Sequence, residues 1–202
     1  QAGDRLLDTY GDERKPNVRA VIDFSMALGS IICVPDPDEA AARDAAMSAT
    51  VTGELSEIPP LPPIEGGLLH RHDDHAGQGF PQGRVRRAHR QGLLDDVAGA
   101  GWRLLTVDHE PIGLEPSLAS WFGGIGGEVL RLADGAVIDL DGTYTCWLAE
   151  HQVTWALQRP DFITYGTASS ATGAAALLTD LRARLDSGRP AAQWDEPRAE
   201  LA

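Results

Sequence analysis

Six consecutive residues, His70 to His75 (HRHDDH), form the densest run of metal-ligating side chains in the sequence. On a strand His70 and His72 would share one face, and Asp74 or His75 could complete a zinc set. The run abuts a glycine-rich loop, AGQG, and no fourth ligand stands at a motif spacing. The expectation is a polar surface loop with no metal, His70, His72 and His75 being the residues a metal would use. Cys33 and Cys146 lie far apart in the chain, which is neither a disulfide framework nor a zinc spacing. Each is expected to be a small, semi-buried structural residue. GGIGGE (Gly123 to Glu128) has the glycines of a dinucleotide loop in the wrong context. It leaves a helix and enters a strand, whereas cradling a phosphate needs a strand that opens into a helix. No catalytic or cofactor-binding residue can be assigned from these motifs.

Charge excludes one class of partner. The 202 residues carry a formal net charge of −13, which repels nucleic-acid phosphates. The basic run RVRRAHR (Arg84 to Arg90) goes against that balance and reads as a solvated strand beside acidic surface. No apolar stretch approaches the roughly 20 residues of a membrane span. Two unpaired cysteines fit a reducing, cytoplasmic setting.

The elements that must position these residues follow from pattern. A first helix is expected over Asp4–Arg14. A second starts at Pro16, whose missing N–H suits a first helical position, and runs to about Leu28, with Gly29 as its stop. Val18, Val21 and Ile22 carry its apolar stripe, and Met26 broadens it. PDPDEAAARDAAMSA reads as a further helix capped by Asp36 or Asp38. These helices make up a segment over residues 1–51. Residues 52–67 include PPLPPIEGG and read as a proline-rich connector. Residues 68–186 form an α/β domain and 187–202 a loose tail.

Within the α/β domain strand and helix signals alternate. GRVRRA, WRLLTVD, EVLRLA, VTWALQR and FITYGTA are the expected strands. GLLDDVAGAG, LEPSLASWF, DLDGTYTCWLAEH and ATGAAALLTDLRARL are the expected helices, the last with Leu177, Leu178, Leu181 and Leu185 as its stripe. RPDFITYGTA is expected to be core plus edge. The order β-α-β-α-β-α-β-β-α implies a partly parallel central sheet covered on both faces, with the closely linked last two strands antiparallel. That is the order of a thioredoxin-like fold. The thiols of such a fold sit at a helix start, where their pKa is lowered. The corresponding stretch, Asp108 to Leu118, has no cysteine, and AEHQVTW has no proline where that fold carries a cis-proline. The domain is expected to lack thiol chemistry.

LLDTYGDERKPNVRAVIDFS resembles the helix pair that closes the flavin domain of class A flavin-dependent aromatic monooxygenases. The matching positions are Tyr10, Glu13, Arg14 and Pro16. SIICVPDPDEAAARDAAM, FPQGRV, IDLDGTYTCWLAEH and LQRPDFITYGTA are similar to the subgroup around 3-(3-hydroxyphenyl)propionate hydroxylase. The resemblance runs from about Leu6 to Leu185. It implies an FAD- and NAD(P)H-dependent parent that hydroxylates phenolic rings. The Gly-x-Gly-x-x-Gly motif that holds FAD in that family does not occur here. The resemblance therefore implies a C-terminal portion that binds no cofactor alone and is structural or dimer-forming. Its partner would be an N-terminal FAD domain, met through Val18, Val21, Ile22 and Met26, with a homo-oligomer also in view. The alternative from the residues alone is a stand-alone, redox-inactive thioredoxin-like interaction module.

Overall fold

A computed structural model describes residues 5–50, 62–109, 112–132 and 135–187. Most of the proline-rich connector and all of the tail after Ser187 lie outside the described residues.

The expected helix pair is a single helix, α1 (Arg5–Ile32), with Pro16 in its interior. An interior proline removes one backbone hydrogen bond and usually breaks a helix. Here contacts to the rest of the chain hold α1 on both sides of it. Glu13 is buried in an ion pair, and Asn17 Nδ2 donates to the Pro62 carbonyl at 2.6 Å. Gly29 does not stop the helix, which ends three residues later. Asp36, of the two expected caps, starts α2 (Pro37–Thr50). Its Oδ1 accepts from the backbone N–H of Asp38 at 2.9 Å and of Glu39 at 3.0 Å. Arg43 of α2 turns back and donates to the carbonyls of Ile31 and Ile32, groups that the end of α1 leaves unpaired. The two helices meet at 107°, and no single helix among the described residues is long and apolar enough to cross a membrane.

The remaining elements are β1 (Arg84–Arg87), β2 (Arg90–Leu93), α3 (Leu94–Ala98), β3 (Arg103–Thr106), α4 (Pro116–Gly124), β4 (Glu128–Arg131), β5 (Ile138–Asp139), α5 (Thr143–Glu150), β6 (Trp155–Gln158), β7 (Thr164–Ala168) and α6 (Ala171–Ser187). They form a mixed α/β architecture with two sheets. A four-stranded sheet has the order β4-β3-β6-β7. Its β3 is parallel to β4 and antiparallel to β6, and β6 is antiparallel to β7, as the short link between them requires. The expectation put GRVRRA in this sheet. It instead forms β1 of a separate antiparallel sheet, β2-β1-β5. The reason is local: the turn after Arg87 folds the chain straight back into β2 (Arg87 opposite Arg90), and the short β5 takes the other edge.

Two apolar layers enclose the four-stranded sheet, and strand alternation sorts the residues between them. Leu104, Trp155, Leu157 and Tyr165 face α4 and α6, meeting Leu118, Phe122, Leu177, Leu178 and Leu181. Leu105, Leu130 and Ala156 face the other way, toward Val85 of β1, Val97 of α3, and Tyr144 and Leu148 of α5. β3 and β6 are buried along their whole length, which is why both read as near-continuous apolar runs. Leu185, the fourth residue of the α6 stripe, packs at the margin of the first layer.

Candidate functional site

HRHDDH is not a strand but part of a strap along the outer edge of β7. The backbone N–H of His70 donates to Tyr165 O at 2.8 Å, that of Gly77 to Thr164 O at 2.9 Å, and Thr164 returns one to Gln78 O at 2.9 Å. The Asp73 carboxylate accepts from the Thr167 N–H and, at 3.0 Å, from its hydroxyl. An edge strand so covered cannot recruit another chain. The strand and strap touch closely. A Cβ at Gly166 would stand 2.7 Å from the His70 Cβ.

The three histidines have different surroundings. His70 Nδ1 lies 2.9 Å from Asp180 Oδ2. The His75 ring meets His151 edge-on at 4.4 Å, and His151 stacks on Trp147. His72 takes a left-handed backbone conformation, φ 63°. Among the described residues no three His, Cys, Asp or Glu side chains are placed to hold a metal ion. Cys33 and Cys146 are free and, contrary to the semi-buried expectation, exposed: Cys33 lies past the end of α1 and Cys146 on the outer face of α5, away from its buried Tyr144 and Leu148. An open cleft of about 280 Å³ borders the strap, lined by Ile64, Gly67, Leu69, His70 and Asp73 among others.

Asp180 of α6 gathers three donors on one oxygen: His70, the Tyr165 hydroxyl at 2.6 Å and Arg184 Nε at 2.9 Å. Burial alone would raise its pKa. The hydrogen bonds from His70, Tyr165 and Arg184 and the Arg184 charge outweigh that and hold it below the usual carboxylate range. Burial, then the bond to Asp180, pushes the Tyr165 phenol well up. On the opposite face burial pushes Tyr144 up to about 12. Its hydroxyl accepts from the Gly83 N–H at 2.9 Å.

A buried polar constellation lies between α1 and the turn after β6, and pattern reading missed it. Arg159 and Glu13 form an ion pair with side chains 10% and 4% exposed. All five guanidinium N–H groups are used. Nη1 donates to Glu13 Oε1 at 2.9 Å and to Leu68 O at 3.0 Å. Nη2 donates to Glu13 Oε2 at 2.8 Å and Asp161 Oδ2 at 2.9 Å, and Nε to Asp161 Oδ1 at 3.0 Å. Glu13 Oε1 also accepts the Leu68 N–H at 2.8 Å. Arg14 reaches Asp161 at 3.4 Å. Burial works against the Arg159 charge, but Glu13 and Asp161 more than compensate, so its pKa stands above its ordinary value. Gly67 leaves room for this: its φ is +71°, and a Cβ there would lie 2.3 Å from the Glu13 Cγ. The sequence did hold a signal. Glu13-Arg14 and Arg159-Pro160-Asp161 are complementary charge patterns, but nothing in their spacing says that they meet. Charges that satisfy one another in this way fix positions and leave no free acid–base pair at this constellation.

Two places where a phosphate could be held have other uses. GGIGGE is the turn from α4 into β4, as expected. The N-terminus of α5, another place for an anion, is filled by Asp139, whose Oδ2 accepts from the N–H groups of Tyr144 and Thr145 at 2.9 Å each.

Comparison with known proteins adds what geometry does not. The chain is 35% identical over 187 residues to a probable NADH-specific resorcinol 4-hydroxylase of Rhodococcus jostii (strain RHA1), covering 88% of this chain and 34% of that protein. It is 35% identical over 136 residues to a 3-(3-hydroxy-phenyl)propionate/3-hydroxycinnamic acid hydroxylase of Mycobacterium avium (strain 104), covering 60% of this chain and 23% of that protein. The chain thus spans about a third or less of the length of these curated relatives. Among solved structures it shares its fold with aklavinone-11 hydroxylase in complex with FAD and aklavinone, at TM-score 0.59 and 20% identity over 92% of this chain and 36% of that one. OxyS anhydrotetracycline hydroxylase from Streptomyces rimosus matches at TM-score 0.59 and 23% identity over 94% of this chain and 37% of that one. The HcaD C-terminal domain model matches residues 77–184, more than half of the sequence, and the chain belongs to that family.

Proposed function

We propose that the chain serves as the C-terminal part of an FAD- and NAD(P)H-dependent monooxygenase that hydroxylates phenolic rings. The observation that carries this is its 35% identity, over 88% of its length, to a resorcinol 4-hydroxylase that is much longer. The same identity favours this reading over a stand-alone interaction module. FAD in such an enzyme supplies the oxygen-transfer chemistry. In this reading FAD and NAD(P)H are held by a companion flavin body, and this segment has a structural role. The division into helical segment, connector, α/β domain and tail is kept in this reading. The strand order β4-β3-β6-β7 with α4 and α6 on one face supports a thioredoxin-like core. That core has no cysteine in the Asp108–Leu118 stretch where its thiols would stand. The exposed half of α1, with Val18, Val21, Ile22 and Met26, is the surface that meets the flavin body or a second copy. A cytoplasmic setting follows from the aromatic-hydroxylase role.

The test is to express the chain in frame behind the flavin-binding body of the R. jostii relative, replacing that protein's own C-terminal part. The expected result is a yellow protein that consumes NADH in response to resorcinol and releases hydroxylated product, while the chain alone is colourless. A stable, flavin-loaded chimera that oxidises NADH without hydroxylating the ring would count against the reading.

A further inference from the structure

We propose that Arg159 is a positioning residue for α1: through Glu13 it sets the direction in which the helix leaves the α/β domain. The reading stands apart from the proposed activity. Its starting point is what α1 does not do. Neither apolar layer contains a side chain of α1. Among the described residues of the helix only Thr9 and Glu13 are buried, while Leu7, Tyr10, Val18, Ile22 and Met26 are exposed. The hydrophobic effect, which seats most helices, is not what holds this one.

The polar contacts are concentrated instead. Glu13 receives two N–H groups from Arg159 and one from Leu68. Arg159 directly follows β6, and the turn beyond it is closed by Phe162 N–H to Arg159 O at 3.1 Å and Arg159 N–H to Ile163 O at 2.8 Å. Leu68, on the other side, belongs to the buried layer beneath α6. The socket for Glu13 is thus built on the core. A planar guanidinium bound at both oxygens of a carboxylate fixes angle as well as distance, which a lysine ammonium cannot do. Asn17, one turn further along α1, adds the bond to Pro62 on the same side.

Cys33, just past the end of α1, and Cys146, on α5, are both exposed. Nitroxide labels on the pair, in a sample diluted with excess chain whose two cysteines are replaced by serine, allow pulsed electron–electron dipolar measurement of the distance from helix to domain within one full chain, free of distances between copies. The wild type is expected to give one narrow distribution. Arg159→Lys keeps the charge and loses the fork, and Glu13→Gln keeps the shape and loses the charge. Both are expected to broaden the distribution at least about twofold, with the near-ultraviolet circular dichroism of the buried tryptophans unchanged. Arg14→Ala removes the 3.4 Å contact to Asp161 and the stacking over Tyr10 within α1, leaves the Glu13–Arg159 pair in place, and is expected to leave the width as it was. A broad distribution in the wild type overturns the proposal, as does a narrow, unshifted one in folded Arg159→Lys and Glu13→Gln. Broadening in Arg14→Ala equal to that in Arg159→Lys overturns the assignment to Arg159. If Arg159→Lys does not fold, Glu13→Gln decides, because it alters α1 and none of the sheet.

Discussion

Two residues, Arg159 and Asp180, each gather several hydrogen bonds from separate elements, and they do so differently. Arg159 sits in a saturated pair, and a pair of this kind adds little net stability because desolvation offsets attraction. What it contributes is geometry. Asp180 is half in solvent and gathers donors from three elements, the strap, β7 and α6, through His70, Tyr165 and Arg184. Its folded pKa is depressed. A depressed carboxylate stabilises the fold above its unfolded value, about 3.9, and that stabilisation is lost as pH falls through the lower folded value. Thermal unfolding followed from neutral pH down to about pH 2 is therefore expected to show an acid limb below about pH 4 that Asp180→Asn makes shallower. Parallel limbs in the two proteins would place the acid sensitivity in other carboxylates.

At the scale of elements, the four-stranded sheet was legible because β3 and β6 are buried on both faces, and burial on both faces writes itself as an apolar run. The stripe of α6 was legible for the corresponding reason. Three features were not. Pro16 looked like a helix start because propensity is local, whereas the contacts that carry α1 through it come from Leu68, Arg159 and Pro62, far along the chain. β2 and β5 are too short and too exposed to leave a period-2 pattern. HRHDDH read as a polar surface loop, and nothing in its pattern says that the loop pairs with the edge of β7. Gly166 tests that last reading. Because a Cβ there would meet His70 at 2.7 Å, Gly166→Ala must push the strap outward or bend β7. The expected cost is about 1–3 kcal/mol, as for overpacking in a core. Faster hydrogen exchange at the amides of His70, Gly77 and Thr167 should accompany it. An unchanged urea midpoint with unchanged exchange would mean that the strap gives way without cost.

At the scale of the whole molecule, α1 and α2 present a row of exposed apolar side chains. Val18, Val21, Ile22 and Met26 are 50, 38, 51 and 68% exposed, and Phe24, Leu28, Ile31, Ile32 and Met47 are exposed as well. Each such side chain gains roughly 1.5–3 kcal/mol when fully buried, and a contiguous group of them left in water marks an interaction surface. With Glu13 held in its socket this face stays off both apolar layers of the α/β domain, and the expected partner is another body. With no flavin body supplied, the expected partner is a second copy of the chain. Light scattering on the purified chain should therefore report a mass above the 21.6 kDa of one chain, falling toward it on dilution. Val21→Asp puts a charge in the middle of the stripe, at a position that touches neither apolar layer of the domain. It should shift the sample to monomer while the circular dichroism of the sheet and its melting stay as they are. Adding the flavin body of the R. jostii relative should displace the second copy from the wild type and leave Val21→Asp unbound. A monodisperse monomer for the wild type, with Val21→Asp equally soluble and equally stable, would show that the exposed stripe is not an interface.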